Sequence, residues 1–239
     1  MNQKQQISLE KKLGYTFRNK ALLKQALTHT SRANEVSPNN HSASYERLEF
    51  LGDALLGISV GSYLYEKMPT SPEGVLSKTR ANIVCERALH RCAIEMLDLP
   101  EHVLLGKGEE QCGGRFKPSL LADVVEAILG AIYLDSCFDV AKAVALRLMS
   151  PIIIDVLSGN FVDDYKSALQ NYIQGKALGE IKYSIISETG PDHDKRFEAQ
   201  VCAAGHRATG KGHTKKEAEQ EAAKGLLALV KPIKGDTEK

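Results

Sequence analysis

The 239-residue sequence has almost no net charge, no long hydrophobic run and no closely spaced pair of cysteines. The formal charge is +1, so any contact with nucleic acid must depend on the local arrangement of basic residues and not on overall charge. No uncharged apolar stretch approaches the roughly 20 residues that a transmembrane helix needs. The polar N-terminus, residues 1–6, also lacks the apolar segment of a secretory signal. We therefore expect no membrane association.

The cysteines indicate a reducing compartment. Their number, five, is odd, and no two of them form a Cys-x-x-Cys pair, which argues against both a disulfide framework and a zinc site. We therefore predict structural thiols in a cytoplasmic protein.

An unusual placement of acids stands out in residues 46–54. Glu46, Glu49 and Asp53 fall at i, i+3 and i+7, so an α-helix brings them onto one face, while leucines occupy the other faces. Carboxylates held together beside apolar surface repel one another and lose hydration unless a cation neutralises them. Acids at this spacing are also common on solvated helices, so this segment alone leaves open both a divalent-metal site and an exposed helix face.

A second segment of the same kind favours the metal site. Residues 120–131 are almost wholly apolar, and their only charges are Asp123 and Glu126, again three residues apart. Two such helices facing each other in a bundle can build an all-oxygen site for a hard cation such as Mg²⁺ or Mn²⁺. Arg47 could pair with the acids of the first segment, but the second segment contains no basic residue.

These residues resemble the ribonuclease III family of double-stranded-RNA endonucleases. Residues 46–54, Glu-Arg-Leu-Glu-Phe-Leu-Gly-Asp-Ala, match the defining motif of the family, and residues 122–127 match a second acidic motif. The resemblance covers nearly the whole chain and also includes residues 9–15, 27–31, 73–74 and 79–81. It implies an endoribonuclease that hydrolyses double-stranded RNA, leaves 5′-phosphate and 3′-hydroxyl ends, and processes precursors of ribosomal RNA, transfer RNA and some messenger RNAs. The implied cofactor is Mg²⁺, for which Mn²⁺ can substitute, and no small-molecule cofactor is expected.

The resemblance also assigns roles to single residues. The acids expected in the cleft are Glu46, Glu49, Asp53, Glu73, Asp123 and Glu126. Asp53 and Glu126 are the positions tied most closely to catalysis, and Glu126 is expected to bind the metal ion together with Glu49 and Asp123. The two remaining acids would complete the cleft. Phe50, which lies among these acids, is expected to insert into a pocket of a partner subunit and thus implies a homodimer.

The spacing of apolar residues divides the chain near residues 158–160, a short polar break. Before the break, helical spacing recurs in residues 20–30, 46–65, 75–97, 119–134 and 138–157. Between these segments, residues 106–118 are rich in glycine and are expected to form a mobile loop. We predict an all-α catalytic domain over residues 1–157 and a linker over 158–162.

After the break, the pattern predicts the order α-β-β-β-α. Residues 165–175 favour a helix, residues 181–189, 196–204 and 207–212 favour strands, and a last helix ends near Val230. Thr214 is predicted as its N-cap, with Glu217 completing a capping box. This order resembles a double-stranded-RNA-binding domain, a small α+β fold, which we place over residues 163–233 with a tail over 234–239. The family usually has Asp-Pro-Lys-Thr at 164–167 and Pro-x-Tyr at 181–183, whereas this chain has Asp-Tyr-Lys-Ser and Ile-Lys-Tyr. The resemblance therefore does not predict the backbone conformation at these two places.

Basic residues near the last helix indicate where duplex RNA binds. Lys215 and Lys216 lie in its first turn, where cations oppose the helix dipole unless an anion such as phosphate docks there. Gly210 and Gly212 would let the backbone approach closely. His193, on a predicted turn, could reach the 2′-hydroxyl groups of a minor groove. The residues predicted to contact RNA are His193, Lys211, His213, Lys215 and Lys216. A solvated helix start is the alternative.

Two other functions fit part of the pattern. A non-catalytic binder of duplex RNA should have lost some of the acids in the cleft, yet all six positions are acidic here. A metal-dependent phosphohydrolase of small nucleotides would have no use for a C-terminal module that binds a duplex.

Overall fold

The computed structural model describes residues 3–36, 43–159, 161, 164–191 and 195–230. The chain folds into two compact units, Met1–Phe161 and Val162–Lys239. Phe161, which the sequence analysis places in the linker, is buried in the core of the first unit, where the guanidinium group of Arg87 lies 5.5 Å from its ring centroid.

The regular elements in the described residues of the first unit are all helices, as predicted, and an isolated β-bridge joins Thr28 and Leu104. Its α-helices are α1 (Gln3–Leu13), α2 (Lys20–Ala26), α3 (Thr30–Val36), α4 (Glu46–Lys67), α5 (Glu73–Val84), α6 (Glu86–Cys92), α7 (Lys107–Gln111), α8 (Pro118–Asp135) and α9 (Phe138–Leu157). A π-helical turn (Ala93–Leu97) and two 3₁₀ turns (Leu99–Glu101 and Gly114–Phe116) connect some of them.

Helix α8 forms the centre of this unit. Its sequence is almost purely apolar, so eleven of its eighteen residues are buried, and it packs against α2, α4, α6 and α9. Pro118 begins the helix, where its missing N–H costs no hydrogen bond. Because α8 is surrounded by other helices, two of its three acids, Asp123 and Glu126, lie close to the core, and the third, Asp135, ends the helix.

Helices α4 and α8 touch backbone to backbone. A Cβ atom on Gly52 of α4 would overlap the carbonyl oxygen of Glu126, and one on Gly130 of α8 would overlap the carbonyl oxygen of Leu48. Only glycine permits this approach at both positions. The crossing point therefore lies beside two of the predicted metal ligands, Glu49 and Glu126.

The glycine-rich segment between α6 and α8 is more ordered than the sequence analysis expects. It contains helix α7, and the backbone N–H of Lys107 donates a hydrogen bond to the Glu35 carboxylate at 2.7 Å. The guanidinium group of Arg115 pairs with Glu110 and donates to the carbonyl oxygen of Pro100. These bonds satisfy backbone groups that a loop would otherwise leave to water.

The second unit has the predicted α-β-β-β-α order. It consists of α10 (Tyr165–Gly175), β1 (Lys182–Thr189), β2 (Arg196–Ala203), β3 (His206–Gly212) and α11 (Lys215–Val230). The strands form an antiparallel sheet in the order β1-β2-β3, with a register shift between Ile185 and Ser187. Alternate β2 residues, Ala199 and Val201, are fully buried against α11, as the alternating pattern predicts.

Both helices of this unit begin at side-chain caps. The Asp164 carboxylate accepts a hydrogen bond from the backbone N–H of Ser167 at 3.0 Å, so α10 begins normally although the sequence departs from the family pattern there. Thr214 caps α11 by accepting from the N–H of Glu217 at 3.1 Å, and the Glu217 carboxylate accepts from the N–H of His213. The N-cap prediction is confirmed.

Within the described residues, no helix has the length and apolar character needed to cross a membrane.

Cys92, Cys112, Cys137 and Cys202 are free thiols, and the Cys85 thiol donates to the carbonyl oxygen of Asn82.

Candidate functional site

The acids from the two predicted segments meet at the crossing of α4 and α8. Glu49 from α4 and Asp123 and Glu126 from α8 each offer a carboxylate oxygen, and these atoms lie within 4.8 Å of one another. All three side chains are half-buried. The i, i+3 spacing on α8 and the close helix crossing together explain why the three meet.

The acids raise one another's pKa values. Burial, followed by the charges of Asp123, Glu46 and Asp53, raises the pKa of Glu49 to about 7. Burial, followed by the charges of Asp53, Glu49 and Asp123, raises the pKa of Glu126 to about 8. Among the residues that the structure describes, the charges that raise the pKa values of these two glutamates are all carboxylates, so a divalent cation would relieve both the repulsion and the lost hydration. An all-oxygen donor set of this kind suits Mg²⁺ or Mn²⁺.

Asp123 has different neighbours. Burial, and after it the charge of Glu86, raise its pKa, while a hydrogen bond from the Tyr45 hydroxyl at 3.3 Å and the nearby charges of His29 and Lys117 lower it, and the net shift is upward. Sequence reasoning did not find Tyr45 or Lys117. Each directly precedes an acid-bearing helix, but spacing along the chain does not indicate that a phenol from the start of α4 reaches an acid on α8.

The other three predicted acids lie in different positions. Asp53 is exposed on α4 and raises the pKa of both Glu49 and Glu126. Glu46 acts on Glu49 and accepts a hydrogen bond from Ser44 at 3.4 Å. Glu73 begins α5, where it accepts a hydrogen bond from Ser77, and it is not among the charges that act on Glu49 or Glu126.

Phe50 is 80% exposed on α4, one residue beyond Glu49. A phenylalanine this exposed on a helix that is otherwise packed into the core is unusual, and it indicates a contact outside the subunit. Ile58 and Tyr65 on the same helix are also exposed, at 58% and 75%.

The second unit presents its predicted RNA-contacting residues near the start of α11. Lys211 and His213 line a cleft of about 510 Å³ together with Arg196 and Phe197. The ammonium group of Lys215 lies 5.6 Å from the Phe197 ring centroid, and Lys216 is exposed. His193 lies outside the described residues.

The two glycines of β3 allow a close approach of the backbone, as the sequence predicts. A Cβ atom on Gly210 would overlap the backbone of Ala222 and Ala218, and one on Gly212 would crowd Glu217. The element that they approach is α11, and Gly210 is buried against it. By fixing α11 against β3, they set where the helix begins.

Comparisons with known proteins agree with both units. Residues 19–152 match the family profile described as Ribonuclease-III-like, and residues 165–229 match the one described as double-stranded RNA binding motif. Ribonuclease 3 of Pelotomaculum thermopropionicum is 46% identical over 220 residues, covering 92% of this chain and 90% of the relative. Ribonuclease 3 of Geobacillus thermodenitrificans is 47% identical over 224 residues, covering 93% and 90%.

A solved structure is similar to the first unit. The nuclease domain of ribonuclease III from Campylobacter jejuni is 45% identical, with a TM-score of 0.56, and the match covers 60% of this chain and 95% of that one. The chain belongs to the ribonuclease III family and is a double-stranded-RNA endoribonuclease.

Proposed function

We propose that the chain cleaves double-stranded RNA at the Glu49, Asp123 and Glu126 cluster with bound Mg²⁺, for which Mn²⁺ can substitute, leaving 5′-phosphate and 3′-hydroxyl ends. The observation that carries this proposal is the meeting of three half-buried carboxylates from two helices, where neighbouring acids among the described residues raise the pKa values of the two glutamates. A divalent ion held by Glu49, Asp123 and Glu126 would supply Lewis-acid stabilisation of the scissile phosphate and would lower the pKa of a water molecule.

The residues of the chain have separate tasks in this proposal. Glu49, Asp123 and Glu126 hold the ion. Asp53 is exposed and acts electrostatically on both glutamates, so it can orient water on the open side of the cluster. Glu46, which acts on Glu49, extends the acidic surface. Glu73 is assigned to the cleft by resemblance alone, since it accepts a hydrogen bond from Ser77 and is not among the charges that act on Glu49 or Glu126.

The wider proposal concerns substrates and location. Family membership supports precursors of ribosomal, transfer and messenger RNA as substrates, and the thiols support a cytoplasmic location. The catalytic domain would span residues 1–157 and the RNA-binding domain 163–233, joined by the linker and followed by the tail.

A cleavage assay tests the central claim. A long, perfectly paired RNA should be cut by the pure protein with Mg²⁺ and left intact without it, and the products should be open to ligation that requires a 5′-phosphate. Cleavage of single-stranded RNA at the same rate as the duplex would contradict the proposal.

We also propose that the chain is a homodimer. The nuclease domain of the Campylobacter jejuni protein has a region that is involved in dimer formation. On this chain, α4 presents an exposed face that includes Phe50, Ile58 and Tyr65. A two-fold dimer would supply one acid cluster for each strand of the duplex.

Phe50→Ala should loosen the dimer, because a large aromatic in a partner pocket is commonly the energetic centre of an interface. We expect the dissociation constant to rise at least about thirtyfold, which corresponds to about 2 kcal/mol, together with a loss of double-strand cleavage at low concentration. Sedimentation equilibrium and cleavage at matched concentrations measure both effects.

Ile154→Ala is the matched control, because Ile154 is 65% exposed on α9 and lies outside the α4 face. It should leave the dimer unchanged. A wild-type protein that is monomeric at assay concentration and still cuts both strands would disprove the dimer proposal.

Replacing Lys215 and Lys216 together by Ala should weaken duplex binding and flatten its salt dependence. Each lost phosphate contact should reduce the slope of log K against log salt by about 0.9, the value for duplex DNA. Binding measured by fluorescence anisotropy at several salt concentrations gives this slope.

The control removes the same charge from the other end of the sheet. Lys182 of β1 and Arg207 of β3 are the register partners of Cys202 on β2, and both line a separate cleft at that end of the sheet. Their double Ala variant should keep the wild-type slope. If the two double variants flatten the slope equally, the start of α11 is not the RNA contact.

A further inference from the structure

Tyr45 is fixed in the core at the start of α4. Its side chain is 5% exposed, and its backbone N–H donates to the carbonyl oxygen of Thr28 at 2.9 Å. Its own carbonyl oxygen accepts from the N–H of Glu49, also at 2.9 Å. The residue is therefore bonded through its main chain to one acid of the cluster.

Its side chain reaches a second acid of the cluster. The Tyr45 hydroxyl donates to Oδ2 of Asp123 at 3.3 Å, across the gap between α4 and α8. We propose that Tyr45 is a positioning residue, which orients the Asp123 carboxylate for the metal ion by this hydrogen bond. The inference rests on the proposed metal centre.

The phenol is suited to this task because it stays a donor. A phenol ordinarily has a pKa of about 10, so its hydroxyl carries a proton at physiological pH and can donate to a carboxylate. A hydrogen bond to one oxygen restricts rotation of the carboxyl group and so fixes the direction of the other oxygen. Such outer partners of metal ligands commonly determine metal affinity.

The ring of Tyr45 packs against the ring of His29. The two ring centroids lie 5.7 Å apart with an interplanar angle of 52°. Nδ1 of His29 accepts from the N–H of Ser31, and the Ser31 hydroxyl accepts from the N–H of Gly106 at 2.9 Å. His29 is thus held by hydrogen bonds where it packs against the Tyr45 ring.

The test measures Mn²⁺ binding without RNA, by the electron paramagnetic resonance signal of free Mn²⁺. Tyr45→Phe keeps the ring and removes only the hydroxyl. We expect its dissociation constant for Mn²⁺ to rise by about tenfold, within the range seen when outer partners of metal ligands are removed. The Mg²⁺ concentration for half-maximal cleavage should rise in parallel, while the KM for RNA stays the same.

Tyr15→Phe is the matched control. The Tyr15 hydroxyl donates to the Asp135 carboxylate at 2.7 Å, which is the same kind of bond in the same unit. Because Asp135 lies outside the cluster, this variant should keep the wild-type Mn²⁺ affinity even if its thermal stability falls.

Asp123→Asn separates the inference from the metal centre on which it rests. If Asp123→Asn weakens Mn²⁺ binding but Tyr45→Phe stays within twofold of wild type, the positioning role is wrong and the metal centre stands. If neither variant changes the affinity, or the wild type binds no Mn²⁺, the metal centre itself is wrong. If Tyr15→Phe weakens binding as much as Tyr45→Phe, the effect comes from general destabilisation and the inference fails.

Discussion

Glu126→Gln should abolish cleavage while duplex binding stays close to that of the wild type. The change removes a carboxylate from the cluster with almost no change in volume, and the RNA-contacting residues belong to the other unit. We expect cleavage to slow by about 10²–10³-fold, because the ion that would stabilise charge on the scissile phosphate loses a ligand and removal of one such electrostatic contribution typically costs this much. Single-turnover cleavage and anisotropy on the same RNA measure the two effects separately.

The same variant should be more stable than the parent at alkaline pH in the absence of metal. A pKa near 8 in the folded state, against 4.5 ordinarily, means that the folded protein holds a proton which the unfolded chain releases. Folding stability should therefore fall as the pH rises from about 4.5 to 8, and the uncharged amide of the variant removes this loss. Because the group is partly hydrated, we expect a gain on the order of 1 kcal/mol at pH 8.

Urea unfolding at pH 5 and pH 8 with a chelator present measures this gain in stability.

For the cleavage prediction, a Glu126→Gln protein that cleaves normally, or that loses binding and cleavage to the same extent, would show that Glu126 is a structural acid.

Gly52→Ala should disrupt the first unit more than any change to an exposed residue. The added methyl group would overlap the carbonyl oxygen of Glu126, so α4 and α8 must separate at the point where the acids meet. Overpacking of side chains costs about 1–3 kcal/mol, and a clash with backbone leaves less room for adjustment, so we expect a loss of at least about 3 kcal/mol. Cleavage should fall with it, since the carboxylate oxygens move apart.

Gly74→Ala is the control for this experiment. Gly74 lies in α5 with open space around its Cα, so a methyl group there meets nothing. In a helix the change should stabilise by about 0.5–1 kcal/mol. Thermal unfolding of both variants, followed by far-ultraviolet circular dichroism, gives the comparison. A Gly52→Ala protein with wild-type stability would mean that the two helices do not touch as described.

The helices and the pairing of acids could be predicted because both depend on spacing along the chain. Glu49 shares a helix face with Asp53 in any regular helix, and the apolar sequence around Asp123 requires a buried helix. The strands of the second unit could be predicted for the same reason, as Phe197, Ala199 and Val201 alternate along β2.

Contacts between distant segments could not be predicted from spacing. The bond from Tyr45 to Asp123 joins residues 78 positions apart and depends on how α4 crosses α8. Gly210 is buried against α11, and the sequence alone does not identify α11 as the element it approaches, because a glycine that permits bending and one that permits close packing look alike in a sequence. Phe161 follows a polar break and still packs into the helical core.

The backbone contact at Gly52 and Gly130 also affects how the protein can evolve. Cores absorb substitutions by small shifts of helices, and side chains repack as they do so. Here the two helices that carry the acids are already at their limit of approach, and main-chain atoms set that limit. A smaller side chain elsewhere along α4 or α8 therefore cannot bring the acids closer together, whereas a larger one can still push the helices apart. Main-chain contact thus sets the smallest separation that the acids can have.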